Sequence, residues 1–195
     1  MSDKIRTFFA VDIEDDEILS QIEKYKTELQ KSIGPLKLVD KDLMHITLRF
    51  LGNITTNQAE ELYRYMEKEI NEEYIGNLED GSFTCEIKGV GNFRKKVFFV
   101  DITEGTEELR EIHKILEKKI RTMKGIKHDN RKYNPHITIA RKKRRGTHRN
   151  EGQMSYPKLQ HIYENFEFGS WKVKKIVLKK SDLTPKGPIY TNLKY

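Results

Sequence analysis

The order of the predicted elements repeats along this chain, and this repeat constrains the fold more than any other feature. A strand, an amphipathic helix, a second strand and a second helix are predicted within about residues 5–75 and again within about 96–165. Each unit carries a histidine on its second strand, His45 in the first and His136 in the second. Strands outnumber helices and are mostly joined locally, which is typical of α+β proteins with antiparallel sheets.

Boundary signals set the limits of several predicted elements. The acidic run at 14–17 predicts the start of the first helix, and Gly34, which precedes a proline, predicts its end. A further strand is predicted over 83–90, between the two units. Near the C terminus, residues 171–179 and 189–193 are predicted to form a final pair of strands around a Pro-Lys-Gly-Pro turn.

Composition excludes several classes of protein. The chain has 195 residues and a formal charge of +7, so we expect one folded domain over residues 1–195 that favours polyanions as partners. Its one cysteine, Cys85, excludes an internal disulfide, and no run of 18 apolar residues predicts a membrane span. The N terminus lacks the pattern of a signal peptide. These features predict a cytoplasmic protein.

The second strand of each unit contains the same tripeptide, His-Ile-Thr. Because side chains alternate between the faces of a strand, His45 and Thr47 are predicted to share one face. By the same alternation, His136 and Thr138 share a face of the second strand. The opposite faces are predicted to carry the apolar residues Ile46, Leu48 and Phe50 in the first strand and Ile137 and Ile139 in the second.

Two such strands across a cleft would suit phosphoryl chemistry. Imidazoles with a pKa of about 6.5 can serve as general base and general acid at neutral pH. Two hydroxyls can donate hydrogen bonds to the non-bridging oxygens of a phosphate, and the chemistry requires no metal ion and no covalent intermediate. A single His-x-Thr on a strand usually has no catalytic role, and its histidine is a surface or hydrogen-bonded residue. Two copies at matching places in a repeat favour a site.

The motifs H-I-T-L-R-F-L-G and P-H-I-T-I-A-R, with the opening R-T-F-F-A-V-D-I, resemble those of the two-histidine phosphoesterase superfamily. The most similar branch is the RNA 2′,3′-cyclic phosphodiesterases, or 2′–5′ RNA ligase-like proteins. The resemblance implies two pseudo-symmetric lobes, each an antiparallel sheet with helices on its outer face, and a cleft between them. It also implies hydrolysis of terminal 2′,3′-cyclic phosphates to 2′-phosphomonoesters, with RNA joining in some members.

The resemblance assigns roles to individual residues. His45 matches the proton donor of the family and His136 its proton acceptor, while Thr47 and Thr138 match its phosphate-holding hydroxyls. Arg141 matches a basic position after the second motif. Strand parity places Arg141 opposite His136, so its side chain reaches the phosphate only if the strand ends or bulges just before it.

A basic run follows the second motif and is predicted to emerge at the rim of the cleft. Cations there would hold the phosphates of an RNA strand that leads into the site. The RNA-binding candidates in this run, beyond the arginine already named, are Lys142, Lys143, Arg144, Arg145 and Arg149. Tyr133, just before the motif, is a candidate for stacking on a terminal base, with a core aromatic as the alternative.

The predicted partner is RNA with 2′,3′-cyclic phosphate or 2′-phosphate ends, including tRNA fragments or nucleotides, bound by a monomer with no membrane attachment. No cofactor or metal ligand set is predicted. Two alternatives stay open: a 2′–5′ RNA ligase using the same histidines, and a non-catalytic RNA- or nucleotide-binding module. Outside the site, ordinary surface, loop or strand positions are predicted for His113, His128, His148, His161 and Cys85.

Overall fold

The computed structural model describes residues 3–143, 154–185 and 187–195. Nine strands lie within these ranges: β1 (Lys4–Asp12), β2 (Leu36–Leu38), β3 (His45–Thr55), β4 (Phe83–Phe93), β5 (Val97–Glu104), β6 (His136–Lys142), β7 (Glu167–Val173), β8 (Val177–Thr184) and β9 (Gly187–Asn192). The α-helices are α1 (Asp16–Ile33), α2 (Thr56–Tyr65), which continues as a π-helix over Met66–Ile75, α3 (Thr106–Ile120) and α4 (Tyr156–Tyr163). Within the described ranges, no helix is long and apolar enough to cross a membrane.

Helix α1 begins and ends at the predicted signals, and helix α2 begins at a cap of its own. The Asp15 carboxylate caps α1 by accepting two backbone N–H bonds of 2.9 Å, and α1 ends at Gly34, whose φ of 95° suits a residue without a Cβ. Thr55 and Gln58 form a reciprocal capping box at the start of α2. Local sequence therefore determines these helix ends.

The strands form one antiparallel sheet in the order β7-β4-β5-β6-β3-β1-β8-β9, with β2 paired to β6. The predicted α+β class with antiparallel strands is confirmed. A single residue pair, Ile46 with Ile137, joins β3 to β6 and so connects a half of four strands (β3, β1, β8 and β9) to a half of five (β7, β4, β5, β6 and β2). The two motif strands therefore lie side by side at the centre of the sheet.

The helices interlock the two halves. Helix α1 follows β1 in the chain but packs against α4, β6 and β7 of the other half, and α3 follows β5 but also packs against β3. Most of the buried apolar side chains belong to one continuous core. The sequence units 5–75 and 96–165 consequently do not coincide with the two halves of the sheet.

The prediction of one strand over 171–179 is wrong. These residues span the end of β7, at one edge of the sheet, and the start of β8, which pairs with β1 in the other half. Between them, the backbone of Ile176 exchanges two hydrogen bonds with the Asn71 side chain, of 2.8 and 3.1 Å. These two hydrogen bonds hold the chain where it passes from one half of the sheet to the other. Because Asn71 is far away in the sequence, no local pattern predicts them. The predicted final pair does exist as β8 and β9.

Both motif strands bulge at the same place. Leu48 is an extra residue in β3, since its two neighbours pair with consecutive residues of β1, and Ile139 is an extra residue in β6 against β5. The predicted apolar orientation of Phe50 is therefore wrong: its side chain is 51% exposed and lines the same cleft as the histidines. Arg141 also reaches that face, as predicted for a strand with a bulge.

Candidate active site

The two His-Ile-Thr tripeptides meet across the junction of β3 and β6 through their central isoleucines. Continuing this antiparallel register, His45 lies beside Thr138 and Thr47 lies beside His136. All four side chains line one cleft of about 1320 Å³. Each imidazole is thus matched with a hydroxyl from the opposite strand as well as one from its own.

The same hydrogen bond orients both imidazoles. Nδ1 of His45 lies 2.8 Å from the Leu43 carbonyl oxygen, and Nδ1 of His136 lies 2.8 Å from that of Asn134. A carbonyl oxygen only accepts, so Nδ1 carries a proton in each ring and donates it. The exchangeable proton of each ring therefore belongs to Nε2. In the first motif, Nε2 lies 3.0 Å from the Thr47 hydroxyl.

His45 occupies an aromatic environment that also contains two opposite charges. The rings of Phe8 and Tyr190 lie 4.9 and 5.4 Å from the imidazole, centroid to centroid. Asp12 is its cross-strand partner, and Lys179 binds this carboxylate at 2.9 Å. Burial lowers the pKa of His45 most, and the ammonium of Lys179 lowers it further, while the backbone hydrogen bond and Asp12 raise it.

His136 occupies a similar frame with a different charge. Phe93 and Phe99 each lie 5.1 Å from its ring, and Asp101 is its cross-strand partner. Burial is the main cause of the lowered pKa of His136; its backbone hydrogen bond raises the pKa, and the Arg141 guanidinium lowers it. Among the described residues, Asp101 has no ion-pair partner, and burial raises its pKa. Asp101 therefore does not neutralise Arg141, whose guanidinium is free to face an anion.

Tyr133 connects the second motif to the first. Its hydroxyl donates a 3.1 Å hydrogen bond to the backbone carbonyl of Thr47, and its ring stacks on His113 at 4.5 Å with the two planes nearly parallel. The prediction that His113 is a solvated surface residue is therefore wrong, because the stack half-buries it. Both residues line the cleft. Their arrangement supports the strand that carries Thr47.

A buried ion pair lies beneath the first motif. The bulge turns Arg49 inward, where only 7% of it is exposed and its guanidinium binds the Glu117 carboxylate. The same guanidinium donates to the backbone carbonyls of Phe50 and Lys127. Arg49 therefore ties the motif strand to α3 and to the loop that precedes β6.

The structure brings the catalytic and phosphate-binding candidates together in the cleft. Of the basic run, only part lines the cleft. Arg141 and Tyr133 line the cleft, whereas Lys142 and Lys143 are exposed and do not line it. The remaining candidates and one histidine lie outside the described residues: Arg144, Arg145, Arg149 and His148.

Three further residues were predicted to lie outside the site, and one of them lines the cleft. His128 is exposed but lines the cleft, and His161 lies on the surface of α4 beside Glu164. Cys85 is a buried strand residue, as predicted, and burial raises its pKa to about 12. A thiol with that pKa stays protonated at neutral pH, so Cys85 is not a nucleophile.

Sequence reasoning missed several residues that line the cleft, among them Lys37, Phe93 and Tyr190. A signal existed for Lys37, since Leu36 and Leu38 flank it in an apolar–polar–apolar pattern typical of a half-buried strand. No local pattern distinguishes Phe93 or Tyr190 from a core aromatic. Only the folded sheet brings them beside the imidazoles.

The sequence is similar to one protein family over nearly its whole length. The AKAP7 2′5′ RNA ligase-like domain matches residues 7–192. The chain is 34% identical over 174 residues to an RNA 2′,3′-cyclic phosphodiesterase of Aquifex aeolicus, which covers 87% of this chain and 85% of the relative. It is 32% identical over 166 residues to an RNA 2′,3′-cyclic phosphodiesterase of Aeropyrum pernix, covering 82% and 84%.

Solved structures share the fold. TT0787 of Thermus thermophilus superposes with a TM-score of 0.75 at 24% identity and covers 97% of this chain and 96% of that one. E. coli LigT in complex with 3′-AMP gives a TM-score of 0.69 at 22% identity, with coverage of 98% and 96%. The overall fold is thus shared with these proteins.

Proposed function

Because the chain belongs to the 2′5′ RNA ligase-like family of two-histidine phosphoesterases, we propose that it hydrolyses 2′,3′-cyclic phosphodiester ends of RNA to 2′-phosphomonoesters. The relatives from Aeropyrum pernix and Aquifex aeolicus carry that activity in their names. The observation that carries the proposal is the pair of imidazoles in one cleft, each with Nδ1 fixed and Nε2 available.

The reaction needs one base and one acid. His136 accepts a proton from water at Nε2 as the water oxygen attacks phosphorus, and the bond from phosphorus to the 3′-oxygen breaks. His45 donates the proton on its Nε2 to that oxygen, which leaves a 3′-hydroxyl and a 2′-phosphate. After release of the product, solvent removes the proton from His136 and returns one to His45.

The remaining residues stabilise charge on phosphorus. The hydroxyls of Thr47 and Thr138 donate to the non-bridging oxygens, where negative charge develops during attack. The Thr47 hydroxyl also lies 3.0 Å from Nε2 of His45, so donation to a phosphate oxygen would replace that contact. Arg141 supplies a positive charge on the side of His136, and its guanidinium geometry suits a phosphate.

An RNA oligonucleotide ending in a 2′,3′-cyclic phosphate tests the proposal. We expect a product with a 2′-phosphate and a 3′-hydroxyl, formed at the same rate in excess chelator because no step requires a metal ion. Mass spectrometry detects the added water, and phosphatase-coupled end mapping locates the phosphate. A 3′-phosphate product would contradict the assigned acid, and loss of activity in chelator would contradict metal independence.

Joining of RNA ends uses the same histidines, but the 5′-hydroxyl of a second RNA replaces water as the nucleophile that attacks phosphorus. Adding an oligonucleotide with a 5′-hydroxyl to the same assay separates the two reactions, since joining yields a longer product with a 2′–5′ linkage. A protein that binds the oligonucleotide and leaves both ends intact would instead be a binding module.

We further propose that the chain acts as a cytoplasmic monomer on RNA ends, including tRNA fragments, and that Lys142, Lys143, Arg144, Arg145 and Arg149 contact the RNA backbone. The single free thiol, Cys85, suits a reducing compartment. Light scattering measures the mass of the particle against the 23.1 kDa of one chain. The slope of RNA affinity against salt concentration measures the number of phosphates that the protein neutralises.

A further inference from the structure

Lys37 lies directly opposite Arg141 on the neighbouring strand. The short strand β2 pairs antiparallel with β6, and in this register Lys37 and Arg141 are partners. Directly paired residues project to the same face of a sheet, and both of these side chains line the catalytic cleft. Lys37 is thus a further cation of the cleft and lies directly beside Arg141.

Two like charges at directly opposed positions are unfavourable unless something neutralises them. In the part of the chain that the structure describes, neither side chain forms an ion pair with a carboxylate. Asp40 lines the same cleft and offsets part of their charge. The pair consequently favours a bound anion.

The two cations differ in their distance from the reacting groups. Arg141 lines the cleft with His136 and Tyr190, and its charge lowers the pKa of both. Lys37 is on β2, which pairs with β6 beyond the contact between β3 and β6. Its register partner is three residues past Thr138, a separation of roughly 10 Å along a strand. An anion bound by Lys37 is therefore distinct from the phosphate held between the imidazoles.

We propose that Lys37, together with Arg141, forms a second phosphate subsite, which binds the 5′-phosphate of the terminal nucleotide. In RNA this group is the phosphodiester that joins the terminal nucleotide to the rest of the strand. The inference rests on the proposed function and specifies its substrate class. RNA ends and 5′-phosphorylated nucleotides are bound at both phosphates, whereas a nucleoside 2′,3′-cyclic phosphate with a 5′-hydroxyl is bound at one.

A matched set of substrates tests the subsite: a nucleoside 2′,3′-cyclic phosphate with a 5′-hydroxyl, the same compound with a 5′-phosphate, and an oligonucleotide with the same terminal base. For the wild type, we expect kcat/KM to rise about tenfold or more with the 5′-phosphate, as for a charge-assisted hydrogen bond. Lys37→Gln should remove most of that gain and leave turnover of the 5′-hydroxyl compound unchanged. Lys24→Gln, which removes a charge from the exposed face of α1, should change neither.

The salt dependence of binding gives a second readout. Loss of one phosphate contact should reduce the slope of log affinity for the oligonucleotide against log salt by about 0.7. Equal effects of Lys37→Gln on all three substrates, or no preference of the wild type for the 5′-phosphate, would overturn the subsite. A wild type that hydrolyses none of the three would instead contradict the proposed function.

Discussion

The two half-sites, one around each histidine, share a backbone conformation and differ in the second residue after each bulge. The first strand presents His45, Thr47 and Phe50 to the cleft, and the second presents His136, Thr138 and Arg141. The backbone bond to each Nδ1, the cross-strand aspartate and the position of the bulge are the same. A duplicated frame thus supplies two imidazoles with the same backbone support and unequal neighbours.

The charges near the two imidazoles differ. Around His45, the ammonium of Lys179 lowers the pKa and Asp12 raises it to a smaller extent, so the two opposite charges partly cancel. Arg141 favours the neutral form of His136, which suits a base. Burial lowers both pKa values below the ordinary 6.5, so we expect the free enzyme to be most active on the acidic side of neutrality.

The largest expected effect comes from removing either imidazole. His45→Ala and His136→Ala should each reduce kcat by about 10²–10⁴-fold, since each removes a proton-transfer group. Initial rates on an oligonucleotide with a cyclic phosphate end measure the loss. His161→Ala, at the exposed surface of α4, is the control and should keep full activity. Full activity in either site variant would refute the two-histidine mechanism.

The next effect concerns stability, and it comes from a buried ion pair that only the first motif strand has. Arg49 occupies the position that Ala140 occupies in the second strand, and Arg49→Ala leaves the buried Glu117 unpaired. We expect a loss of about 3–5 kcal/mol in the free energy of unfolding, measured by urea denaturation. The double variant Arg49→Met with Glu117→Met should recover most of that loss. A single variant as stable as the wild type would show that the ion pair does not support the motif.

Arg141→Gln sharpens the comparison through the pH profile. Arg141 lowers the pKa of His136, so its removal raises that pKa, and the base stays protonated to a higher pH. The acid limb of kcat/KM should move to higher pH, and KM should rise about tenfold because a charged hydrogen bond to phosphate is lost. Phe50→Leu, at the matching position of the other strand, should leave the acid limb in place. If the acid limb of kcat/KM did not move in Arg141→Gln, Arg141 would not control the pKa of His136, and the proposed difference in charge between the two half-sites would be wrong.

The smallest effect tests the connection between the two half-sites. Tyr133→Phe deletes the hydrogen bond to the Thr47 carbonyl, at a cost of about 1 kcal/mol. We expect kcat to fall several-fold with little change in KM, because Thr47 and His45 shift relative to the bound phosphate. Tyr156→Phe removes the hydrogen bond from Asn92 away from the cleft and should lower stability alone. Equal kcat in both variants would make Tyr133 structural only.

The sequence predicts the motif strands because apolar residues and strand parity act locally. It predicts the four central side chains for the same reason, since they precede the bulges. Parity fails at Phe50 because an extra residue in a strand depends on the register against β1, which only the folded sheet specifies. Arg49 and Glu117 are 68 residues apart in the sequence, so no local pattern predicts their ion pair.

A substrate whose 3′-bridging oxygen is replaced by sulfur tests the assignment of acid and base most directly. A thiolate leaves without protonation, so the reaction of this analogue needs a base but no acid. We predict that His45→Ala regains most of the wild-type rate on the sulfur substrate, whereas His136→Ala stays inactive on both substrates. Rescue of His136→Ala alone, or equal rescue of both variants, would contradict the division of roles between the two strands.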